Sequence, residues 1–169
     1  IVIIVICIVL LLTLIGGGVY WYIFVLNADK NSPEEVLTQY VSYINEKDFE
    51  SMYTLLSDST KTRVDKQTYL DRNSNIYNGI EATNVTISDL NYDKENRKLT
   101  YSMSMDTMAG NITFSNKATF DRQDDNKYYL NWYSQLIFPD LQSDYKVRVS
   151  TTQGKRGAIL ARDGTALAI

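Results

Sequence analysis

The first 26 residues of the chain contain no charged side chain, and this run restricts the fold more than any other feature. A helix of that length is about 39 Å long, whereas the hydrocarbon core of a bilayer is about 30 Å thick. Residues 1–26 are therefore predicted to form a membrane anchor, with the aromatic residues around Trp21 in the outer interface. A cleaved signal peptide is the alternative, because the glycines at residues 16–18 resemble a cleavage region, but the sequence stays apolar through Leu26.

Residue types that carry much of enzyme chemistry are scarce in the 169-residue chain. There is no histidine, and the single cysteine, Cys7, lies in the apolar N-terminal run. Zinc sites, Ser-His-Asp triads and Cys-His dyads need residues that the chain lacks, and no disulfide can form within it. A net charge of −3 without a basic run argues against nucleic-acid binding. We therefore expect no catalytic residue, no metal site, no cofactor and no nucleic-acid partner.

Helical patterns followed by strand patterns in residues 32–141 indicate an α+β domain. A Ser-Pro-Glu-Glu helix start at residues 32–35 precedes apolar residues at helical spacing as far as residue 56, and another helix is predicted over residues 66–77. Beyond residue 82 the period changes to two, which predicts a four-stranded antiparallel meander that curls over the helices into a half-open cone. The predicted inward strand residues are Val85, Ile87, Leu99, Tyr101, Met103, Met105, Ile112, Phe114, Ala118, Phe120, Tyr128, Leu130 and Trp132.

If the predicted cone encloses a pocket, its inward side chains would line it. They are mainly aromatic or sulfur-containing: Tyr40, Tyr69, Tyr77, Tyr101, Met103, Met105 and Trp132. Such a stripe is typical of a hydrophobic core, in which the tyrosine hydroxyls still need hydrogen-bond partners. A small anchored enzyme that uses the cone as its pocket is an alternative, and a buried Asp or Glu among the tyrosines would favour it.

The end of the chain carries a motif whose fixed positions are Arg156, Gly157, Arg162, Asp163 and Gly164. The motif resembles the signature that opens the non-catalytic pedestal domain of class B penicillin-binding proteins. Ala161 and Asp163 stand where that family usually has Asp and Asn. Asp163 keeps the turn chemistry, whereas the missing carboxylate at residue 161 changes the local hydrogen bonding. Short strands are predicted over residues 145–150 and 157–161.

A second resemblance covers the middle of the chain. Residues 48–56, 107–112 and an exit motif with Trp132, Phe138 and Pro139 are similar to the NTF2-like, MecA-type N-terminal domain of low-affinity class B penicillin-binding proteins of the methicillin-resistance type. Together the resemblances divide the chain into an anchor (residues 1–26), a linker (27–31), an NTF2-like domain (32–141) and the start of the pedestal or dimerisation domain (142–169).

The resemblance implies a function for the protein to which this chain belongs. It implies the non-catalytic front part of a bacterial peptidoglycan D,D-transpeptidase that binds penicillin, with one pass through the plasma membrane and an extracytoplasmic remainder. The implied partners are the membrane, the protein's own transpeptidase domain and other proteins of cell-wall synthesis or division. The alternative is an NTF2-like scaffold subunit of a secretion or conjugation channel, in which the chain would end soon after the last strand.

Two short polar patterns are interpreted as structural. Ser143 and Lys146 match Ser-x-x-Lys, the nucleophile motif of penicillin-interacting enzymes, but the Ser-x-Asn and Lys-Thr-Gly elements that complete such a site do not occur in the chain. The acidic residues Asp121, Asp124 and Asp125 lack the order of an EF-hand calcium loop. A solvated turn is therefore the favoured interpretation of the acidic residues.

Overall fold

The computed structural model of the chain describes residues 2–150, 152, 159–160, 162 and 166–168, with side chains for residues 13, 15–150, 152 and 162. Its helices are α1 (Val2–Leu26), α2 (Pro33–Glu46), α3 (Phe49–Thr54), α4 (Asp58–Arg63) and α5 (Lys66–Gly79). Its strands are β1 (Thr83–Asp93), β2 (Lys98–Thr107), β3 (Gly110–Arg122), β4 (Tyr128–Asn131), β5 (Ile159–Leu160) and β6 (Ala166–Ala168). The order of helices before strands confirms the predicted α+β class.

The N-terminal helix α1 runs without a break over 25 residues. Its large apolar side chains from Ile15 to Leu26 are exposed, with Trp21 at 67 %. Over the part of the chain that the structure describes, no helix combines the length and the apolarity that crossing a membrane requires. The anchor over residues 1–26 therefore stays a prediction at this point.

The start of α2 has the predicted capping box. The Ser32 hydroxyl accepts a hydrogen bond from the Glu35 amide at 3.2 Å, and the Glu35 carboxylate accepts one from the Ser32 amide at 3.0 Å. Pro33 occupies the first turn, where its missing N–H costs nothing. The helix ends at Lys47 in a left-handed conformation with φ of 59°. Its buried face is the predicted one, with Val36, Leu37, Tyr40, Val41 and Ile44.

The chain between α2 and α5 differs from the prediction of a helix running to residue 56. The helix α3 ends at Thr54, because Leu55 and Leu56 leave it to pair with the outer edge of β4. The Leu130 amide donates to Leu55 O at 2.9 Å, and Leu130 O accepts from the Ser57 amide at 3.0 Å. This pairing covers an edge that would otherwise expose unpaired backbone groups.

Two further helices complete this layer. The helix α4 was missed because its sequence, Asp-Ser-Thr-Lys-Thr-Arg, has no apolar residue to show a period. Its start is nevertheless capped by Ser57, whose hydroxyl accepts from the Thr60 amide at 3.2 Å. The helix α5 agrees with the predicted range and buries Tyr69, Asn73, Ile76 and Tyr77, whereas Leu70 is only half-buried.

The predicted meander is confirmed as an antiparallel sheet in the order β1-β2-β3-β4. Strand β2 buries the predicted residues Leu99, Tyr101, Met103 and Met105, whereas the side chains between them are half-buried or exposed. The register of β2 with β3 pairs Met103 with Phe114. The edge strand β1 is irregular at Asn84 and Asp89, which have positive φ values of 49° and 53°. Such irregularities discourage pairing with another chain.

The chain after β4 corrects one prediction. Residues 145–150 do not form a strand, since the outer edge of β4 is already taken by residues 55–57. Instead, the chain follows α5, where Arg72 donates to Gln142 O at 2.7 Å. Strands β5 and β6 pair with each other, and residues 157, 158 and 161 of the predicted strand lie outside the described residues.

Candidate functional site

The interior of the domain brings the predicted inward aromatic residues together. Tyr40 comes from α2, Tyr69 and Tyr77 from α5, and Tyr101 from β2, and each is at most 3 % exposed. Trp132, one residue beyond β4, is 4 % exposed and packs its ring edge-to-face on Tyr69 at 5.0 Å between centroids. The structure therefore unites the tyrosines and the tryptophan of the predicted stripe in one buried cluster.

This cluster lacks the groups that would make it an acid–base site. Burial raises the pKa of the Tyr40, Tyr69 and Tyr77 hydroxyls well above 10, so they keep their protons at neutral pH. Among the residues that the structure describes, no Asp or Glu is buried, although a buried acid is the feature that would favour the small-enzyme alternative. The cluster is best described as a polar part of the core.

The hydroxyls of these tyrosines are nevertheless unusual for a core. The hydroxyls of Tyr40, Tyr69, Tyr77 and Tyr101 are buried and have no hydrogen-bond partner among the described residues. An unpaired buried hydroxyl costs about 1–3 kcal/mol, against about 5–15 kcal/mol for the stability of a whole domain. Sequence reasoning recognised that these hydroxyls need partners, and the described protein groups do not supply them.

The acidic turn between β3 and β4 uses its carboxylates within the fold. Asp121 accepts from the Ser59 hydroxyl and from the Asn131 side-chain amide, each at 2.8 Å. Asp125 accepts from the Tyr129 hydroxyl at 2.9 Å, and Asp124 is exposed. Within the described ranges, no group of three His, Cys, Asp or Glu side chains has an arrangement that could hold a metal ion.

The Ser-x-x-Lys pattern lies at the surface. Ser143 is exposed in a turn, and Lys146 is exposed in irregular chain, so neither residue belongs to a helix. A serine nucleophile of this class opens a helix inside a closed site that excludes water. The conformation around Ser143 therefore agrees with the structural interpretation of this pattern.

The linker is bound to the β3–β4 hairpin by side-chain contacts that the sequence did not suggest. The Arg122 guanidinium donates to the Asp29 carboxylate at 2.5 Å and to Asn27 O at 2.8 Å, and Asp29 also accepts from the Tyr128 hydroxyl at 3.1 Å. The hydrogen bond from Arg122 holds the pKa of the Asp29 carboxyl below its usual 3.8. Asn31 exchanges two hydrogen bonds with the Tyr128 backbone, at 2.7 and 3.1 Å. We call this set the linker contact.

The exit segment, defined as residues 132–147, begins where β4 ends and is attached by side chains of α4 and β3. Arg63 donates to Trp132 O at 2.6 Å, and Asn116 donates to Gln135 O at 2.8 Å. Phe138 of the predicted exit motif is half-buried with its ring 5.5 Å from that of Phe114, whereas Pro139 is exposed. Arg63 and Asn116 were not predicted, because an isolated polar residue gives no local sign of its distant partner.

The two attachment points are separated along one strand. Arg122 in the linker contact and Phe114 beside the exit segment are eight positions apart on β3. At about 3.3 Å per residue, these positions lie roughly 26 Å from each other. Of the pedestal motif, Arg162 is exposed in a turn, and Arg156, Gly157, Asp163 and Gly164 lie outside the described residues.

The chain is similar to a known protein family and to a known protein. The family model of NTF2-like N-terminal transpeptidase domains, MecA_N, matches residues 32–146, which is more than half of the chain. Penicillin-binding protein 3 of Bacillus subtilis (strain 168) is 28 % identical over 148 residues, which cover 82 % of this chain and 22 % of that protein. Both matches confirm the resemblance to the N-terminal region of class B penicillin-binding proteins. The chain belongs to the family of NTF2-like N-terminal transpeptidase domains.

Proposed function

We propose that this chain is the non-catalytic N-terminal part of a membrane-anchored penicillin-binding protein. In this proposal, the NTF2-like domain holds a following transpeptidase domain at a set height above the membrane. The observation that carries the proposal is the separation, roughly 26 Å along β3, of Arg122 in the linker contact from Phe114, against which Phe138 of the exit segment packs. Because both ends are fixed by side chains of the domain, the domain acts as a spacer of defined length.

Residues 1–26 are the anchor in this proposal, and the soluble part lies outside the cytoplasm. The run has no charged residue, and α1 continues through it to Leu26 with large apolar side chains exposed from Ile15 onward. A bilayer would cover these side chains, and Trp21 and its aromatic neighbours suit its interface. The linker contact then begins directly at Asn27, so the β3–β4 hairpin would lie next to the lipid headgroups.

In this proposal, the catalytic residues belong to a domain outside this chain. The relative in Bacillus subtilis is a penicillin-binding protein, and the present chain covers about a fifth of its length. We assign to the whole protein the cross-linking of peptidoglycan by a serine D,D-transpeptidase domain that β-lactams acylate. This part needs no cofactor, and residues 142–169 lead into the pedestal domain that carries the transpeptidase.

The spacer function is tested by measuring the height of single labels above a bilayer. Cys7→Ser removes the only thiol of the chain, so that Asp124→Cys and Ser143→Cys each place one fluorophore on an exposed residue. In liposomes that contain headgroup-quencher lipids, the label at residue 124 should be quenched strongly. The label at residue 143, which lies beside Trp132 and Gln135, should be roughly 13–20 Å farther from the headgroups and less strongly quenched.

A label at Met108→Cys, in the β2–β3 turn at the far end of the sheet, provides the matched control and should be the least quenched. Equal and strong quenching at residues 124 and 143 would mean that the domain lies flat on the membrane and is not a spacer. No quenching at any position would mean that residues 1–26 do not anchor the chain.

A further inference from the structure

The last part of the exit segment is buried at its two ends and exposed in between. Leu141 is 7 % exposed and belongs to the hydrophobic core, and Val147 is half-buried against the same core. Residues 142–146 are all exposed and form neither a helix nor a strand. Burial therefore holds only the ends of this stretch, and the backbone between them depends on polar contacts.

These polar contacts come from one arginine. Arg72, on α5, donates from its Nη2 atom to Gln142 O at 2.7 Å and to Tyr145 O at 3.3 Å. The two carbonyls belong to a turn that is closed by a hydrogen bond from the Tyr145 amide to Gln142 O at 3.2 Å. Within the part of the chain that the structure describes, no side chain other than that of Arg72 is hydrogen-bonded to residues 142–146.

The surroundings of Arg72 show that its guanidinium is used for this turn. None of the ion pairs among the described residues includes Arg72, and its Nε atom is buried without a hydrogen-bond partner there. The group is thus partly withdrawn from water and is not extended into it. Because a guanidinium is always charged, its hydrogen bonds to carbonyls are stronger than those between neutral groups. These contacts make Arg72 a clamp on the turn.

We propose that Arg72 is the positioning residue for the end of the domain. By holding the turn at residues 142–145 against α5, it makes residues 142–147 a fixed part of the domain and sets the direction in which the chain continues at Arg148. The match to the NTF2-like family, which extends to residue 146, agrees with this extent. The consequence for a following domain rests on the proposed function: the spacer sets the height of that domain, and the clamp sets the direction from which it continues.

Distances between spin labels test the clamp. They are measured by double electron–electron resonance on the full chain in detergent micelles, in a Cys7→Ser background. Met108→Cys carries the reference label in the β2–β3 turn, and Arg148→Cys carries the second label directly after the clamped stretch; both positions are exposed. A second pair, Met108→Cys with the exposed Asp140→Cys, ends before Leu141 and reports whether the domain itself stays folded.

The decisive comparison is wild type against Arg72→Met, which keeps a long side chain that favours the helix and removes the donors. In the wild-type background both pairs should give narrow distance distributions. Arg72→Met should widen the distribution between residues 108 and 148 by about twofold or more and leave that between residues 108 and 140 unchanged. Lys66→Met removes an exposed cation from the same helix and is the matched control, which should change neither distribution.

Two results would overturn the proposal. A wide distribution between residues 108 and 148 in the wild-type background would show that the stretch is not fixed. A distribution that stays narrow in Arg72→Met would show that the packing of Val147 fixes it without the arginine.

If Arg72→Met widens both distributions, the domain has lost its fold, and Arg72→Gln decides by the same criterion because its shorter side chain keeps a polar group that does not reach the turn. Widening of both distributions in Arg72→Gln as well would assign Arg72 to the stability of the whole domain and overturn the proposal. Neither distance depends on the height above the membrane, so a domain that lies flat on the bilayer would refute the spacer and leave this result unchanged.

Discussion

At the scale of single residues, Trp132 joins more parts of the domain than any other residue of the exit motif. Its ring packs on Tyr69, its amide donates to the Thr60 hydroxyl at 3.1 Å, and its carbonyl accepts from Arg63. Side chain and backbone thus hold α4, α5 and the end of the sheet in one place. Tyr40 is nearby, but the ring that makes the edge-to-face contact with the indole belongs to Tyr69.

Replacing this side chain should therefore cost a large share of the stability. Trp132→Ala removes a fully packed indole and is expected to lower the free energy of unfolding by about 3–5 kcal/mol in a urea titration. Tyr145→Ala, at an exposed position of the same segment, should change it by less than about 0.5 kcal/mol. A loss below about 1 kcal/mol for Trp132→Ala would contradict the inward packing of this residue.

At the scale of elements, the linker contact makes residues 27–31 part of the β3–β4 hairpin. The Asp29–Arg122 ion pair is partly exposed, with side-chain exposures of 38 % and 31 %, so it contributes at most about 1 kcal/mol. Two further sets of hydrogen bonds hold the linker beside it: the Lys30 amide donates to Asn126 O at 2.9 Å, and the Asn31 side chain bonds the Tyr128 backbone. The linker is consequently held by several weak contacts at once.

The ion pair gives the linker contact a defined response to pH. The folded-state pKa of Asp29 lies below 3.8, so its contribution is fully present above that value and is lost as the pH falls through the lowered pKa. In wild-type protein, the protection of the Lys30 and Tyr128 amides against hydrogen exchange should stay constant between about pH 5 and 8, after correction for intrinsic rates.

Asp29→Asn should remove this contribution at every pH and speed exchange of both amides by about two- to fivefold. Asp144→Asn, an exposed carboxylate in the exit segment, serves as the matched control and should leave both amides unchanged. Unchanged exchange in Asp29→Asn would show that the hydrogen bonds of Lys30 and Asn31 hold the linker without the ion pair.

At the scale of the whole molecule, the domain has two fixed ends and a filled interior. The linker contact lies at one end of β3, Phe138 of the exit segment packs against Phe114 roughly 26 Å along the same strand, and the domain interior is filled with buried side chains. Such an arrangement fixes the point where the chain enters the domain relative to the point where it leaves. It leaves the surface pair Ser143 and Lys146 without the enclosed surroundings that acylation requires.

The chain should therefore not react with penicillin. Incubation of the full chain with a fluorescent penicillin, followed by denaturing gel electrophoresis, is expected to show no covalently labelled band, because Ser143 is exposed in a turn and Lys146 is exposed in irregular chain. Ser143→Ala is the control. A labelled band that is present in wild type and disappears in Ser143→Ala would make this pair a nucleophilic site after all.

The sequence by itself determined the elements whose signals are local. The Ser32 capping box, the helical period of α2 and α5 and the two-residue period of β2 all appear in short windows, and their buried faces followed from the same periods. The inward set of Tyr40, Tyr69, Tyr77, Tyr101 and Trp132 was predicted in the same way. A local sequence period is enough to predict these features, because side-chain direction repeats every 3.6 residues in a helix and every two residues in a strand.

Only the tertiary structure decided how these elements meet. The end of α3, the irregular chain at residues 145–150 and the attachments made by Arg63, Arg72 and Arg122 all depend on residues that are far apart in sequence. A backbone segment becomes a strand only where a free edge is available, and here residues 55–57 occupy the edge of β4. An arginine likewise shows its partner only when the fold brings a carbonyl or a carboxylate within reach, so such contacts leave no pattern in the sequence.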